Sequence, residues 1–287
     1  MAERKWAYLA SIGLGEMPVG RVAAELAALG YHGVELTLAH FDPRSMDPAE
    51  LQRVASDVKA EGLAISELVV QQDWVLRDEA ERRVRIELTK DAVKACADCG
   101  IPAINVFSGP APWDPSAPKL GVDMTEAEAY HMTCAALDEV LQVAEDVDVD
   151  VALEAVFGMV ARDYYTTMEL LRRLPSDRLK INMDPSHFGL YRNDIAMAVK
   201  AFGDRIVHVH LKDVIGVPPA VGESFLFPLL GEGLIDWPGF FQALDDIGYA
   251  GFCSVEFESF KYFQTVLGGD GVAAAGLSME QIKALAG

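Results

Sequence analysis

The sequence predicts an α/β protein in which residues 1–287 form a single (β/α)8 TIM barrel. The chain has 287 residues, of which 51% are hydrophobic, enough to enclose one large core of the size usual for this fold. Strand-like and helix-like segments alternate from end to end, which is typical of parallel strands covered by helices. No Gly-x-Gly-x-x-Gly follows the first strand, so an open dinucleotide-binding sheet is disfavoured.

Eight segments have the length and apolar character of strands, and each is bounded by turn residues. No linker-like run divides the chain between them, so one domain is expected. In chain order the predicted strands cover residues 6–13, 32–38, 63–70, 102–107, 150–157, 179–183, 205–211 and 251–257.

Proline, glycine and threonine mark the ends of the predicted helices in the first half of the chain. The first helix stops at Gly30, and the second starts on Pro48 and ends before Gly62, as helices commonly do. Thr125 is the expected N-cap of the fourth helix. These helices are predicted at about 18–29, 48–61, 77–99 and 125–147.

Two connections are unusually long, and both leave the predicted catalytic rim of the barrel. Residues 108–124 are rich in proline and glycine, and residues 212–236 contain an apolar run from Phe225 to Leu230. Loops of this length commonly serve as lids or binding walls. For the second loop a contact between subunits of a homo-oligomer is the alternative.

Composition excludes several classes of partner. The chain carries 24 Lys and Arg against 44 Asp and Glu, a net charge of −20, with no basic run to offset it locally. Nucleic acid binding depends on neutralising phosphates, so DNA, RNA and anionic membrane surfaces are disfavoured as partners. No apolar stretch is long enough to span a membrane. The first residues lack the apolar core of a signal peptide, so a cytoplasmic location is expected.

Four acidic or imidazole side chains lie near the ends of four consecutive predicted strands. Glu154, Asp184, His210 and Glu256 are separated by 30, 26 and 46 residues, each about one strand–helix unit, the last one longer. Residues that close successive strands of such a barrel meet at its C-terminal rim. Three carboxylates and one imidazole form a mainly oxygen-donor set, which suits a hard divalent cation. The sequence therefore predicts one divalent metal at these four residues.

Each position also has a simpler interpretation. Glu154 could cap the following loop, and Asp184 could belong to an ordinary turn before a proline. His208 lies two residues before His210 on the same strand face and is expected deeper, as a hydrogen-bonded core histidine. Glu258 shares a face with the fourth predicted ligand and is a candidate for contacting the ligands or the substrate.

The chain resembles the xylose isomerase-like barrels known as sugar phosphate isomerases and epimerases. The resemblance covers nearly the whole chain and is sharpest between Val151 and Glu258. It rests on L-E closing the fifth strand, D-P-S-H after the sixth, H-x-K-D after the seventh and V-E closing the eighth. In members of the tagatose/psicose 3-epimerase type the matching positions bind one divalent metal. The resemblance implies Mn²⁺ there, with Mg²⁺, Co²⁺ or Zn²⁺ as alternatives, on the ligands Glu154, Asp184, His210 and Glu256.

The same resemblance implies a small-molecule partner, a sugar, keto-sugar or cyclitol. His187, the histidine of D-P-S-H, is expected to contact this substrate or to stabilise charge on it. Lys212 and Glu258 are also predicted to bind substrate. Lys212 and Asp213 begin the long loop beside the metal, and a plain surface ion pair between them is the alternative.

Aromatic side chains on the same rim are candidates for a wall on which a sugar stacks. Trp113 follows the fourth predicted strand and Phe157 closes the fifth, and both are predicted to bind substrate. Trp74 and Phe107 occupy similar positions, and packing within the loops is the alternative for all four. Trp237 lies at a predicted helix start and is expected to be structural.

A metal site of this kind suits isomerase chemistry on an α-hydroxy ketone, through an enediolate formed by loss of a carbon proton. Glu154 and Glu256 are predicted to remove and return that proton, with His187 as a third catalytic group. The sequence thus favours an isomerase or epimerase. The same enediolate can expel a leaving group, so an inosose or 3-dehydroshikimate dehydratase-like or keto-glycoside-cleaving lyase is the alternative. A non-catalytic accessory subunit is a second alternative.

Two absences in the sequence disfavour two functions, that of a zinc-dependent endonuclease and that of an epimerase of free ketohexoses. The three-zinc endonuclease IV type needs further histidines, and the segments SELVVQQDW, NVFSGP and VIGVPPAVGESFLF contain none. In ketohexose epimerases an arginine after the seventh strand binds substrate oxygens, but residues 212–222 contain no arginine. This gives weight to the inosose dehydratase-like, 3-dehydroshikimate dehydratase-like and keto-glycoside-cleaving relatives.

Overall fold

The computed structural model describes residues 4–218 and 222–286, and within them the predicted TIM barrel is confirmed. The strands are β1 (Lys5–Leu9), β2 (Gly33–Thr37), β3 (Ala64–Val69), β4 (Ala103–Phe107), β5 (Asp150–Glu154), β6 (Leu179–Met183), β7 (Ile206–Leu211), β8 (Ile215–Gly216), β9 (Phe225–Leu226) and β10 (Phe252–Val255). The barrel closes in the order β1-β10-β7-β6-β5-β4-β3-β2, and all its pairings are parallel. Strands β8 and β9 form a small antiparallel pair within the long loop after β7.

Helices separate the barrel strands and cover their outer faces. They are α1 (Val19–Leu29), α2 (Pro48–Ala60), α3 (Glu79–Cys99), α4 (Glu126–Val147), α5 (Tyr164–Arg173), α6 (Pro185–Leu190), α7 (Ile195–Phe202), α8 (Trp237–Asp246), α9 (Phe260–Thr265) and α10 (Gly271–Ala286). The predicted helix ends are observed: α1 ends at Gly30 with φ of 92°, and Thr125 caps α4 in a capping box with Glu128. No helix in the described residues is both long and apolar enough to cross a membrane.

Two strands end three or more residues earlier than the sequence pattern suggests. The first stops at Leu9 because the next residues form a turn in which the N–H groups of Leu14 and Gly15 donate to the carbonyl of Ser11. The fifth stops at Glu154, since the N–H of Val156 donates to the carbonyl of Ala161 and leaves the sheet. In both places the apolar residues that follow the strand lie in turns, and for that reason the predicted strands were too long. The shorter fifth strand places its glutamate at the rim.

The hydrophobic core lies between the barrel and its helices, whereas part of the barrel interior is polar. Along β7, Val209 and Leu211 belong to the core, while His208 and His210 alternate with them and are buried inside. Glu35 on β2 and Glu67 on β3 are paired in register and are also fully buried. Burying a charged group without a partner is costly. These polar residues therefore mark the interior of the barrel as a candidate functional region.

Asp213 fixes the long loop after β7 to the barrel. Its carboxylate accepts hydrogen bonds from the indole N–H of Trp237 and from four backbone N–H groups, at distances of 2.8 to 3.2 Å; the backbone donors are Val214, Gly231, Gly233 and Ile235. The alternative of a surface ion pair with Lys212 is wrong, because both residues are buried and Asp213 is occupied by the loop. Trp237 is structural, as predicted.

Candidate metal centre and substrate pocket

The four predicted ligands meet at the C-terminal rim. Glu154 is the last residue of β5, Asp184 follows β6 directly, His210 lies near the end of β7, and Glu256 follows β10. One donor atom from each lies within 4.8 Å of the others. The first three are buried, and the Glu256 side chain is 11% exposed. The chain therefore has a buried acidic and imidazole group that could hold a metal.

Local structure leaves one oxygen of Asp184 facing this group. Its Oδ1 accepts from the N–H of Ser186 at 2.8 Å and so caps α6, which Pro185 begins. Its Oδ2 is buried and accepts no hydrogen bond of good geometry, although Lys212 Nζ lies at 3.0 Å and His187 Nε2 at 3.3 Å. A buried carboxylate oxygen in this situation is well suited to a cation.

Side-chain amides hold Glu154 from the other side. Its Oε2 accepts from Asn105 Nδ2 at 3.0 Å and from Gln71 Nε2 at 3.2 Å. Its Oε1 lies 3.1 Å from His210 Nδ1. These two amide donors fix the orientation of the carboxylate, so Oε1 is presented to the centre. Neither amide was predicted from the sequence.

His210 is held on both sides of its ring. Nδ1 lies 3.1 Å from Glu154 Oε1 and 3.3 Å from Glu256 Oε2, and Nε2 lies 2.9 and 3.2 Å from the two oxygens of Glu35. Burial alone would lower the pKa of His210, but the three carboxylates outweigh it and raise that pKa well above its usual value. The donors thus carry an excess of negative charge that a cation would balance.

Lys212 is a buried cation between this group and the pocket. Its Nζ lies 3.0 Å from Asp184 Oδ2 and 3.1 Å from Glu258 Oε2, and it also contacts Glu256. It sits 4.7 Å from the centre of the Phe227 ring. Burial opposes the charge, but Asp184, Glu256 and Glu258 raise the pKa of Lys212 well above its usual value. Lys212 therefore stays an ammonium that donates hydrogen bonds.

Two further titratable groups border the pocket in neutral or nearly neutral form. Burial, helped by the charge of Lys212, lowers the pKa of His187 to about 3. Its Nδ1 accepts from the N–H of Phe157 at 3.4 Å, so Nε2 carries the proton and points toward Asp184. Burial and the nearby Glu256 raise the pKa of Glu258 to about 7, although Lys212 opposes the shift.

These groups form the floor of a cavity of about 270 Å³ that has an aromatic wall. The predicted substrate-binding residues all line it: Trp113, Phe157, His187, Lys212 and Glu258. Glu154 and Glu256 line it too, whereas the other two predicted ligands are not among its lining residues. Further lining residues were not predicted, namely Gln71, Val156, Phe227 and Phe260.

The aromatic wall combines buried and exposed rings. Phe157 is buried and lies 6.1 Å from Trp113 and 6.3 Å from Phe227, measured between ring centres. Trp113 is 54% exposed at the mouth. Phe227 belongs to the long loop after β7, so this loop supplies part of the binding wall. Trp74 is fully buried and is not among the lining residues, so its loop-packing alternative holds.

A second group of potential ligands lies deeper in the barrel. It consists of Glu35, Glu67, His208 and His210, and all four are buried. His208 Nδ1 lies 3.1 Å from Glu67 Oε2 and 3.1 Å from Asn182 Oδ1. Burial lowers the pKa of His208 to about 4 despite the charge of Glu35. His208 is thus a hydrogen-bonded core histidine, as predicted, below the rim.

The fold is that of a known class of barrel. The family model described as "Xylose isomerase-like TIM barrel" matches residues 23–285. The chain therefore belongs to the xylose isomerase-like TIM barrel family, as its sequence motifs predicted.

Curated relatives of the chain are named as sugar epimerases. A D-psicose 3-epimerase from Enterocloster bolteae is 28% identical over 123 residues, which cover 42% of this chain and only 37% of that protein. A ketose 3-epimerase from Arthrobacter globiformis is 29% identical over 238 residues, covering 81% of this chain and 74% of that protein.

Solved structures share the fold over nearly the whole chain. A D-psicose 3-epimerase from Clostridium cellulolyticum H10 with D-tagatose has a TM-score of 0.78 at 16% identity, covering 98% of both chains. The IOLI protein with a bound zinc atom has a TM-score of 0.76 at 18% identity, covering 98% of both chains. A probable 3-DHS dehydratase from Bacillus anthracis has a TM-score of 0.74 at 16% identity, covering 97% of this chain and 98% of that one. At such identities these structures support the fold alone.

Proposed function

We propose that this protein is a divalent-metal-dependent epimerase or isomerase of an unphosphorylated sugar or keto-sugar, acting through an enediolate. The observation that carries the proposal is a buried set of three carboxylates and one imidazole at the floor of an aromatic-walled cavity. Glu154, Asp184, His210 and Glu256 would hold the cation, for which Mn²⁺ is our first choice because the donors are mainly oxygen. A bound divalent cation supplies positive charge for the carbonyl and neighbouring hydroxyl oxygens of the substrate.

The chain's own residues provide the proton transfers. Glu154 and Glu256 both line the cavity, and they come from strands on either side of the other two ligands. One removes the proton from the carbon beside the carbonyl, and the other returns a proton. Lys212 and the Nε2–H of His187 donate hydrogen bonds to substrate oxygens, and the aromatic wall excludes water from the reacting carbon.

Charge in the cavity favours an unphosphorylated substrate. Among its lining residues Lys212 is the only one with a permanent positive charge, and three carboxylates already contact it. Glu154, Glu256 and Glu258 face the same space. A phosphate group would meet this acidic surface without the arginine pair that commonly binds it. Sugars whose oxygens are neutral fit the cavity better.

A lyase of the same fold is the second candidate. The observation that favours it is the absence of arginine among residues 212–222, where ketohexose epimerases have one. The first step, removal of a carbon proton beside a carbonyl, is common to both reactions. The two differ in whether a leaving group departs from the neighbouring carbon.

The function is tested by following this shared step. Purified protein with Mn²⁺ is incubated in D₂O with D-psicose, D-tagatose, L-ribulose or an inosose, and the products are examined by NMR and mass spectrometry. We expect deuterium at the carbon beside the carbonyl and an epimeric sugar. A product lighter by one water would identify the lyase instead. Absence of both exchange and product with every substrate would contradict the proposal. L-ribulose 5-phosphate serves as the phosphorylated comparison and should react poorly.

Replacing His187 by alanine should lower turnover by about 10²–10⁴-fold while leaving the metal bound, because a positioned acid, base or hydrogen-bond donor contributes that much. His187 lines the cavity and its Nε2 lies 3.3 Å from Asp184 Oδ2, yet it does not belong to the donor group. Metal content and turnover are measured on the same preparation. His131→Ala, at an exposed position on α4, is the control and should change neither. Loss of metal from the His187 variant would make it a ligand.

A further inference from the structure

Glu35 contacts Nε2 of His210, the ring nitrogen opposite the one that faces the rim ligands. It lies on β2, inside the barrel, and is fully buried. Its Oε1 and Oε2 lie 2.9 and 3.2 Å from His210 Nε2, so both oxygens of one carboxylate face one ring nitrogen. No residue of the pocket floor takes part in this contact. Glu35 was not among the site residues predicted from the sequence.

This contact determines which nitrogen of His210 can bind a cation. An ionised carboxylate only accepts hydrogen bonds, so the nitrogen facing it must carry the proton. With the proton on Nε2, the lone pair of a neutral imidazole is on Nδ1, which faces Glu154 and Glu256 at 3.1 and 3.3 Å. The two sides of the ring differ because a cation held by Glu154 and Glu256 would take the place of a proton on Nδ1, whereas Glu35 lies behind the ring and keeps the proton on Nε2.

We propose that Glu35 is a positioning residue that assigns Nδ1 of His210 to the metal, orients the ring and strengthens it as a ligand. The inference rests on the metal site of the proposed function but not on the reaction. Carboxylates behind a ligating histidine commonly change metal affinity by about 10–100-fold. Glu35 itself stays outside the coordination sphere.

Glu67 offers a matched comparison within the same layer. It pairs in register with Glu35 on the neighbouring strand and is equally buried. Its Oε2 lies 3.1 Å from His208 Nδ1, whereas the carboxylate that hydrogen-bonds His210 Nε2 is that of Glu35. Glu67→Gln therefore alters the same buried layer, but only a change at Glu35 removes the carboxylate behind the ligating histidine.

The experiment compares Glu35→Gln, Glu35→Ala and Glu67→Gln in the full-length protein. Mn²⁺ is titrated into metal-free protein and free Mn²⁺ is followed by its electron paramagnetic resonance signal. The amide oxygen of Gln can still accept the Nε2 proton, so we expect affinity about 10-fold lower for Glu35→Gln and about 100-fold lower for Glu35→Ala. Glu67→Gln should stay within about 3-fold of wild type. With Co²⁺, the visible absorption bands should shift in Glu35→Gln and remain in Glu67→Gln.

Three results would overturn the inference. Wild-type affinity in Glu35→Ala would show that Glu35 does not orient the ligand. Equal losses in Glu35→Gln and Glu67→Gln would assign the effect to disturbance of the buried layer in general. A stoichiometry that falls from two metals to one would make Glu35 a ligand of the deeper group. If the wild type binds metal but turns over no sugar, the proposed function fails while the role of Glu35 can stand.

Discussion

Replacing Asp184 or His210 by alanine is expected to abolish tight binding of the divalent metal and, with it, all measurable turnover. Among the residues that the structure describes, each supplies one of the four donor groups at the rim. The buried Oδ2 of Asp184 and the Nδ1 of His210 both face the centre, where Lys212 is the competing cation. Removing either donor leaves three ligands, and in His210→Ala the buried carboxylate of Glu35 also loses its partner.

Metal analysis after dialysis measures this effect directly. Wild-type protein should retain about one equivalent per chain, since the four predicted ligands at the rim form one group of donors. Asp184→Ala also loses the N-cap of α6, which by itself costs about 1 kcal/mol of stability. Asp194→Ala removes the equivalent cap of α7, where Asp194 accepts from the N–H of Met197 at 2.9 Å, and should keep its metal. Three equivalents in the wild type, or full retention in both ligand variants, would contradict a mononuclear site.

The fold could be predicted because its signals are local. Pro48 begins α2 and Gly62 follows its end, and Thr125 caps α4 together with Glu128. The ends of these helices can therefore be predicted from neighbouring residues. Strand ends were harder to place, since apolar residues after Leu9 and Glu154 pack in turns rather than in the sheet. Residues in a strand and residues in a buried turn are equally hydrophobic. The backbone hydrogen bonds that end a strand therefore cannot be predicted from composition.

The candidate site was partly predictable for a topological reason. Carboxylates that close consecutive parallel strands must meet at one rim, so Glu154, Asp184 and Glu256 could be grouped from spacing alone. Glu35 lies in an earlier strand, and its approach to His210 depends on closure of the barrel. A glutamate in the middle of an apolar strand was nevertheless a usable signal, because such a residue needs a partner.

The amide contacts and the position of Lys212 were outside what spacing can give. Gln71 reaches Glu154 from the loop after β3, across 83 residues of chain, and Asn105 reaches it from β4, across 49 residues. Side-chain direction at a strand end decides such contacts, and it is set by the pleat and by packing. Lys212 was predicted to bind substrate, but its burial among three carboxylates follows from the way the loop after β7 is pinned by Asp213.

Replacing Glu154 or Glu256 by glutamine is expected to separate metal binding from catalysis. Gln has nearly the shape of Glu, and its carbonyl oxygen can bind a cation weakly, but it cannot accept a proton as a base. At Glu154, Asn105 and Gln71 donate to Oε2 and will hold the new carbonyl oxygen there, so the NH₂ group faces the centre. Glu154→Gln should therefore need more metal for saturation than Glu256→Gln.

At saturating metal, at least one of the two variants should retain no more than about 10⁻² to 10⁻⁴ of wild-type turnover, the usual loss on removing a positioned base or acid. Solvent deuterium exchange distinguishes the roles. The variant that lost the first base should show no exchange into substrate, whereas loss of the second group alone should leave exchange without product. Glu258→Gln is the comparison for metal binding and should keep wild-type metal affinity, because Glu258 lines the cavity and contacts Lys212 but is not a predicted ligand. If added metal restores full activity to both Glu154→Gln and Glu256→Gln, these carboxylates are ligands only. The base would then be His187 or Glu258, and a loss of exchange in Glu258→Gln would identify it.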